Sequence, residues 1–238
     1  MKPARGMVYF LYKIPWVLLD WIYPPSCGGC GLKGARWCFQ CQIDSPKISA
    51  HICYRCGQIQ STEGLCQRCQ EREPGFRILR SWGVYRGPLK NAIQRLKYRR
   101  NIALGETLSR YLIELFTDVN WAVDVVAPVP LGIERLKERG YNQAALLARP
   151  FALRCGLKYL PKILVRVKET RSQVDLSYHE RWQNIVGAFK ANPNFARGSR
   201  CLIVDDVATS GATLDACALA LREAGASDVY ALTLARAG

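Results

Sequence analysis

Eight of the chain's 11 cysteines lie between positions 27 and 69, and all eight come as C-x-x-C pairs: Cys27/Cys30, Cys38/Cys41, Cys53/Cys56 and Cys66/Cys69. The stretch around them, 26–74, carries Gly and Gln but few large aliphatic side chains, so it lacks the means to build an ordinary apolar core. A bound metal is the usual substitute in so small a unit. A C-x-x-C turn presents two sulfurs to one ion, and two such turns close a tetrahedral four-thiolate site. Four pairs therefore suit two Zn²⁺ ions. With four thiolates on each ion no position stays open for water, so both sites are expected to be structural. Sequential use assigns Cys27, Cys30, Cys38 and Cys41 to one ion and Cys53, Cys56, Cys66 and Cys69 to the other; interleaved pairing satisfies the same spacing. A disulfide framework is the rival reading of an even cysteine count. The uniform two-residue spacing and the lack of a secretory signal favour metal and a reducing, cytoplasmic setting. The two histidines, His51 and His179, are too few for ordinary zinc catalysis, and His51 reads as a surface residue. Cys155, Cys201 and Cys217 sit among apolar residues and read as buried thiols.

At 238 residues, 49% of them hydrophobic, the chain can bury one sizeable core beside that small unit. Three regions separate: an apolar lead-in over 1–25 ended by Pro24 and Pro25, the cysteine-pair region over 26–74, and an alternation of strand and helix over 76–238. Lys13, Pro15 and Asp20 break the lead-in, which is too short for a membrane span. Phe10, Ile14, Val17, Leu18, Trp21 and Ile22 approximate a helical stripe, which predicts a docking segment; peripheral contact with the inner face of the membrane is the alternative. In the last region "AVDVVAPVP" (122–130), "ILVRV" (163–167), "CLIV" (201–204) and "VYALTL" (229–234) read as strands. Leu214, Cys217, Ala218 and Leu221 fall at helical spacing, with Gly225 as the stop. The expected class is α/β with a mostly parallel sheet, which binds ligands beyond the carboxyl ends of its strands.

One such end is "CLIVDDVATSGATL" (201–214), where a buried strand runs into two adjacent aspartates. The following loop, Ala208, Thr209, Ser210, Gly211, Ala212 and Thr213, supplies backbone N–H groups and three hydroxyls, with Gly211 for close approach. It opens a helix, whose N-terminal end favours an anion. A monophosphate fits; the Walker lysine and the dinucleotide-binding glycine fingerprint are both absent. Asp205 and Asp206 are placed to accept hydrogen bonds from two neighbouring sugar hydroxyls, so the string describes a ribose 5-phosphate site. The chain as a whole is basic, with 34 Lys and Arg against 19 Asp and Glu, which favours polyanionic partners. Between Arg77 and Arg100 there are eight cations and no acid, interleaved with Trp82, Tyr85 and Tyr98. Pro88 can start a helix there with Leu89, Ile93 and Leu96 inward. Lys90, Arg95, Lys97, Arg99 and Arg100 are then candidates for single-stranded nucleic acid; a solvated basic helix with core aromatics explains the same residues.

"VDDVATSGAT" resembles the phosphoribosyl-pyrophosphate fingerprint of the type I phosphoribosyltransferases. With the paired cysteines, "YRGPLKNAIQRLKYRR" (85–100), "PVPLGIERLKERGYNQ" (128–143) and "TRSQVDLSYHERWQNIVGAF" (170–189), the whole chain resembles the ComF/GntX family of competence-associated proteins. The resemblance implies a phosphoribosyltransferase-type sheet preceded by a double zinc ribbon. It implies that Val129, Pro130 and Leu131 cradle a pyrophosphate, with Arg135 and Arg139 as nearby cations. It places Thr170 and Gln173 in a mobile catalytic loop, Arg181 and Asn184 behind it, and Mg²⁺ on the pyrophosphate. Two functions follow. The first is a DNA-handling protein of the competence type that binds single-stranded DNA, with a competence helicase or another protein as partner and the sugar-phosphate site as sensor. The second is an active, Mg²⁺-dependent phosphoribosyltransferase acting on an unidentified nucleobase or amine.

Overall fold

The computed structural model describes residues 3–22, 24–168, 185 and 187–237. In chain order the elements are α1 (Pro3–Ile22), α2 (Phe39–Ile43), α3 (Gln67–Glu71), β1 (Ile78–Val84), α4 (Gly87–Tyr98), α5 (Ala103–Val119), β2 (Val125–Pro128), α6 (Ile133–Arg139), α7 (Gln143–Cys155), β3 (Lys158–Tyr159), β4 (Leu164–Arg166), β5 (Phe189–Ala191), α8 (Pro193–Ala196), β6 (Arg200–Ala208), α9 (Ala212–Glu223) and β7 (Asp228–Arg236). Five strands form one sheet in the order β1-β7-β6-β2-β3, and every pairing in it is parallel. The sheet is the α/β architecture expected from the alternating pattern, and its buried strands read as continuous apolar runs because both faces are covered. "ILVRV" lies outside it: β4 pairs antiparallel with β5 in a separate ribbon.

Strand periodicity sorts the core into two layers. Cys201 and Ile203 of β6 face a cluster with Leu214, Cys217, Ala218 and Leu221 of α9 and with Ile163, Leu164 and Phe189 of the β4–β5 ribbon. Leu202 and Val204 face the other cluster, built from Leu89, Ile93 and Leu96 of α4, Leu104, Leu108 and Leu112 of α5, and Leu147 and Phe151 of α7. The cysteine region joins both layers. Cys27 and Cys41 pack with the α4–α5–α7 layer, and Cys53, Cys56 and Cys69 with the α9 layer. Between them the chain covers the exposed edge of β1, where Leu79 N–H donates to the Arg55 carbonyl at 2.8 Å and Val84 N–H to that of Pro46 at 2.8 Å. Edge strands need such cover against stray pairing.

α1 packs on α7 and α5 through its tyrosines: Tyr9 Oη donates to Glu106 at 2.7 Å, and Arg154 and Arg149 lie over the rings of Tyr9 and Tyr12. Asp20 pairs with Arg36 at 2.7 Å. Of the apolar stripe, Phe10, Ile14, Leu18 and Trp21 are exposed. No helix among the described residues is long and apolar enough to cross a membrane.

Candidate functional site

At the carboxyl end of the sheet β2 and β6 lie side by side, and their continuations wall a cleft of about 750 Å³. Its lining brings together Val129, Pro130, Leu131, Arg135, Arg139, Asp205, Asp206, Thr209 and Thr213, all expected of the site, with Tyr85, Lys97, Gln143 and Arg166, which were not. The turn after β2 is held by main chain: Val129 N–H donates to the Val204 carbonyl at 2.9 Å. Asn142 fastens it further. Its Nδ2 donates to the Val129 carbonyl at 2.9 Å while its Oδ1 caps α7, accepting from Ala144 N–H at 2.9 Å.

The loop over 208–213 leads from the end of β6 into α9. Gly211 sits at φ +81° as the cap of α9, a conformation that a Cβ disfavours. The first-turn N–H groups of a helix lack intrahelical acceptors and can take an anion; in α9 the Ala212 N–H donates to Ser210 Oγ at 3.3 Å. Asp215 in that turn is buried and committed elsewhere, accepting from Gly75 N–H at 2.6 Å and pairing with Arg72 at 3.0 Å. Ser210, Gly211 and Ala212 lie beside Ala208, whose carbonyl accepts from Ala237 N–H at 2.9 Å.

Asp205 and Asp206 are adjacent, so the strand sends them to opposite faces of the sheet. Asp206 turns toward α4 and is only 2% exposed. The Lys97 ammonium abuts its Oδ2 as an ion contact rather than an aligned hydrogen bond, and Gln143 Nε2 donates to its Oδ1 at 3.2 Å. Gln143 in turn accepts from Arg139. Burial opposes the Asp206 charge, but Lys97, Asp205 and Gln143 outweigh it and hold the carboxyl below its usual range. Burial opposes the Lys97 charge too, and Asp206 holds it above the ordinary lysine range. Asp205, less enclosed and accepting the Asp206 N–H at 2.8 Å, is driven well up by burial and then by its neighbour's charge. Burial and mutual repulsion thus push the two carboxyls in opposite directions, Asp205 up and Asp206 down.

Lys97, one of the candidates for nucleic acid, is instead mostly buried against Asp206. Arg95 is also committed, donating to the Cys27 carbonyl at 2.6 Å. Lys90, Arg99 and Arg100 are exposed beside the cleft, with Lys90 over the Tyr85 ring and Arg139 over the Tyr98 ring. Tyr98 itself is 71% exposed. Thr170, Gln173, Arg181 and Asn184 lie outside the described residues.

The eight paired cysteines form two tetrads, Cys27/Cys30/Cys38/Cys41 and Cys53/Cys56/Cys66/Cys69, each with all sulfurs within 4.8 Å. The pairing is sequential rather than interleaved. A tetrahedron with metal–sulfur bonds of about 2.3 Å has edges of about 3.8 Å; Cys30 and Cys38 stand 3.7 Å apart, Cys56 and Cys66 3.6 Å. These tetrads fit Zn²⁺. Four crowded thiols cannot share the negative charge evenly without a cation: Cys56, bonded by the Cys69 thiol, falls to about 4, while Cys69 rises. His51 is on the surface near Glu63, outside both tetrads. Cys201 and Cys217 are fully buried and Cys155 partly so, and burial raises all three thiols.

The double zinc ribbon domain matches residues 18–70 and the phosphoribosyl transferase domain matches residues 98–238. Competence protein F of Haemophilus influenzae is 34% identical over 193 residues, covering 78% of this chain and 84% of that protein. Competence protein ComFC of Bacillus subtilis is 30% identical over 210 residues, covering 84% and 83%. Among solved structures, adenine phosphoribosyltransferase from Thermoanaerobacter pseudethanolicus aligns at 16% identity over 58% of this chain and 83% of its own, with a TM-score of 0.36.

Proposed function

The chain belongs to the ComF family, in which a double zinc ribbon precedes a phosphoribosyl transferase domain, and on that premise we propose that its cleft binds a phosphoribosyl-pyrophosphate-type ligand in a protein that handles single-stranded DNA. The observation that carries the ligand is the convergence, in one cleft of about 750 Å³, of the two aspartates, the 129–131 turn, Arg135 and Arg139, and the threonines of the phosphate loop. Each part matches one part of the ligand. The α9 terminus and Thr209, Ser210 and Thr213 take the 5-phosphate, the aspartates take ribose hydroxyls, and the 129–131 backbone with the two arginines takes the pyrophosphate. Mg²⁺ accompanies the pyrophosphate and offsets its charge. The two tetrads hold zinc structurally, one on each side of the sheet edge.

The DNA-handling part is supported by the names of the relatives, competence protein F and ComFC, and by the exposed cations Lys90, Arg99 and Arg100 beside the exposed Tyr98 ring. Cations pair with phosphates while aromatic faces stack bases, without regard to sequence.

Calorimetry with phosphoribosyl pyrophosphate and Mg²⁺ tests the ligand. Saturable binding is expected, and Asp205→Ala/Asp206→Ala should weaken it at least about tenfold, since each lost charge-assisted hydrogen bond is worth about 1.5–3 kcal/mol. No heat of binding in the wild type sinks the reading. If adding a nucleobase or amine acceptor brings Mg²⁺-dependent release of pyrophosphate, the protein is an active transferase. For DNA, affinity for a single-stranded oligonucleotide should fall steeply with salt, and Arg99→Ala/Arg100→Ala should flatten the slope by about 1.4, at about 0.7 per released counterion. Salt-independent binding counts against that interface.

A further inference from the structure

Two carboxylates side by side need not read two hydroxyls. Asp206 is buried and already has two partners from within the chain, the Lys97 ammonium in ion contact with Oδ2 and Gln143 Nε2, which donates to Oδ1 at 3.2 Å. Both partners are braced. Lys97 sits in the last turn of α4 with Leu96 buried beside it, and Gln143 begins α7 and accepts from Arg139. Asp205 is less enclosed, on the opposite face of β6. Among the described residues, other charged and titratable groups around the pair are Tyr85 just before α4, Tyr98 at its end, Arg135, Glu138 and Arg139 of α6, Arg166 of β4 and Cys217 of α9.

A binding site rejects an analogue lacking a hydroxyl because the group that served it is left buried and unpaired. Here the charge of Asp206 is matched by the Lys97 ammonium, and its Oδ1 accepts from Gln143. Losing one sugar hydroxyl leaves no orphaned charge. We propose that Lys97 and Gln143 stand in for one sugar hydroxyl at Asp206, so that the cleft accepts 2-deoxyribose 5-phosphate nearly as well as ribose 5-phosphate. The inference rests on the sugar-phosphate reading above and narrows its ligand class to include deoxyribose phosphates. Lys97 is then a positioning residue that sets sugar specificity through Asp206.

Calorimetry in Mg²⁺-free buffer without chelator, on the full chain, tests this with inorganic phosphate, ribose 5-phosphate and 2-deoxyribose 5-phosphate. In the wild type the two sugar phosphates are expected to bind within about tenfold of each other, below the loss that one orphaned buried acceptor commonly brings. In Lys97→Met the deoxy sugar should fall at least about tenfold further behind the ribose sugar, with inorganic phosphate unchanged, because Asp206 then needs a ligand hydroxyl. Lys97→Arg should restore the wild-type ratio. The proposal is overturned if the wild type discriminates by more than about tenfold, or if Lys97→Met weakens all three probes alike. Ribose 5-phosphate binding with the deoxy sugar rejected removes this inference and leaves the donor site standing. Failure of both sugar phosphates removes both. Should Lys97→Met not fold, the wild-type comparison decides alone.

Discussion

Lys97 follows Ile93 by four residues, so it falls on the same helical stripe as Leu89, Ile93 and Leu96, all fully buried. A cation on an apolar stripe needs a buried partner, and Asp206 supplies it. That signal was present in "IQRLKYRR", but with Leu89, Ile93 and Leu96 read as the inward face, Lys97 was grouped with the outward cations Lys90 and Arg95. Asp205 and Asp206 were legible as a pair; their unequal roles were not, because the difference comes from what packs on each face of β6. Gly211 was legible as well, and its φ of +81° gives the physical reason. Gly211→Val should cost about 1–3 kcal/mol in denaturant unfolding. It should also abolish inorganic phosphate binding by calorimetry while leaving zinc content unchanged. Normal phosphate affinity in that variant means the anion does not sit on this loop.

Among the elements, β2, β6, β7, α4 and α9 were recognisable from apolar runs and 3.6-residue spacing. β1 was not singled out, since "ILRSWGV" mixes polar and apolar residues, as suits a strand whose edge is covered by main chain. "ILVRV" read as another sheet strand because β-branched runs do not reveal their pairing partner; β4 instead pairs with β5. The opposite end of the central strands has its own lock. Asp124, just before β2, accepts from the Arg200 side chain at 2.7 and 3.0 Å and from its N–H at 2.9 Å, joining the starts of β2 and β6. These bonds, the side-chain ones foremost, lower the Asp124 carboxyl to about 2, below its unfolded value of about 3.9. A folded value below the unfolded one stabilises above the unfolded value and is lost as pH falls through the folded one. Urea midpoints measured from pH 5 to pH 2 should therefore fall less steeply in Asp124→Asn than in the wild type. Both partners are partly exposed, so the difference at pH 7 should be small. Parallel curves across that range rule the lock out.

Across the whole molecule the two tetrads join opposite faces of one sheet, and the second also reaches the phosphate loop. Arg236, fully buried at the end of β7, donates to the Cys56 carbonyl at 3.0 Å and to Gln58 Oε1 at 2.7 Å. A cavity of about 340 Å³ has Cys56, Cys69, Arg68 and Arg72 on one wall and Ser210 and Gly211 on another. Removing metal with a strong chelator should lower the melting temperature and weaken phosphate binding together, and Zn²⁺ should restore both. Phosphate affinity that survives complete metal removal shows the loop to be independent of the ribbon. The sequence by itself determined the local chemistry: four C-x-x-C turns, a strand ending in two acids, a glycine-capped phosphate loop and the parallel α/β class. Each is written in residues close together along the chain, where spacing fixes geometry. Only the tertiary structure decided that the tetrads form sequentially, that they clamp the β1 edge, and that Lys97, more than 100 positions from Asp206, neutralises one of the two acids. Such contacts depend on which faces meet across the sheet, and the pattern along a strand or helix names a buried face without naming what will cover it.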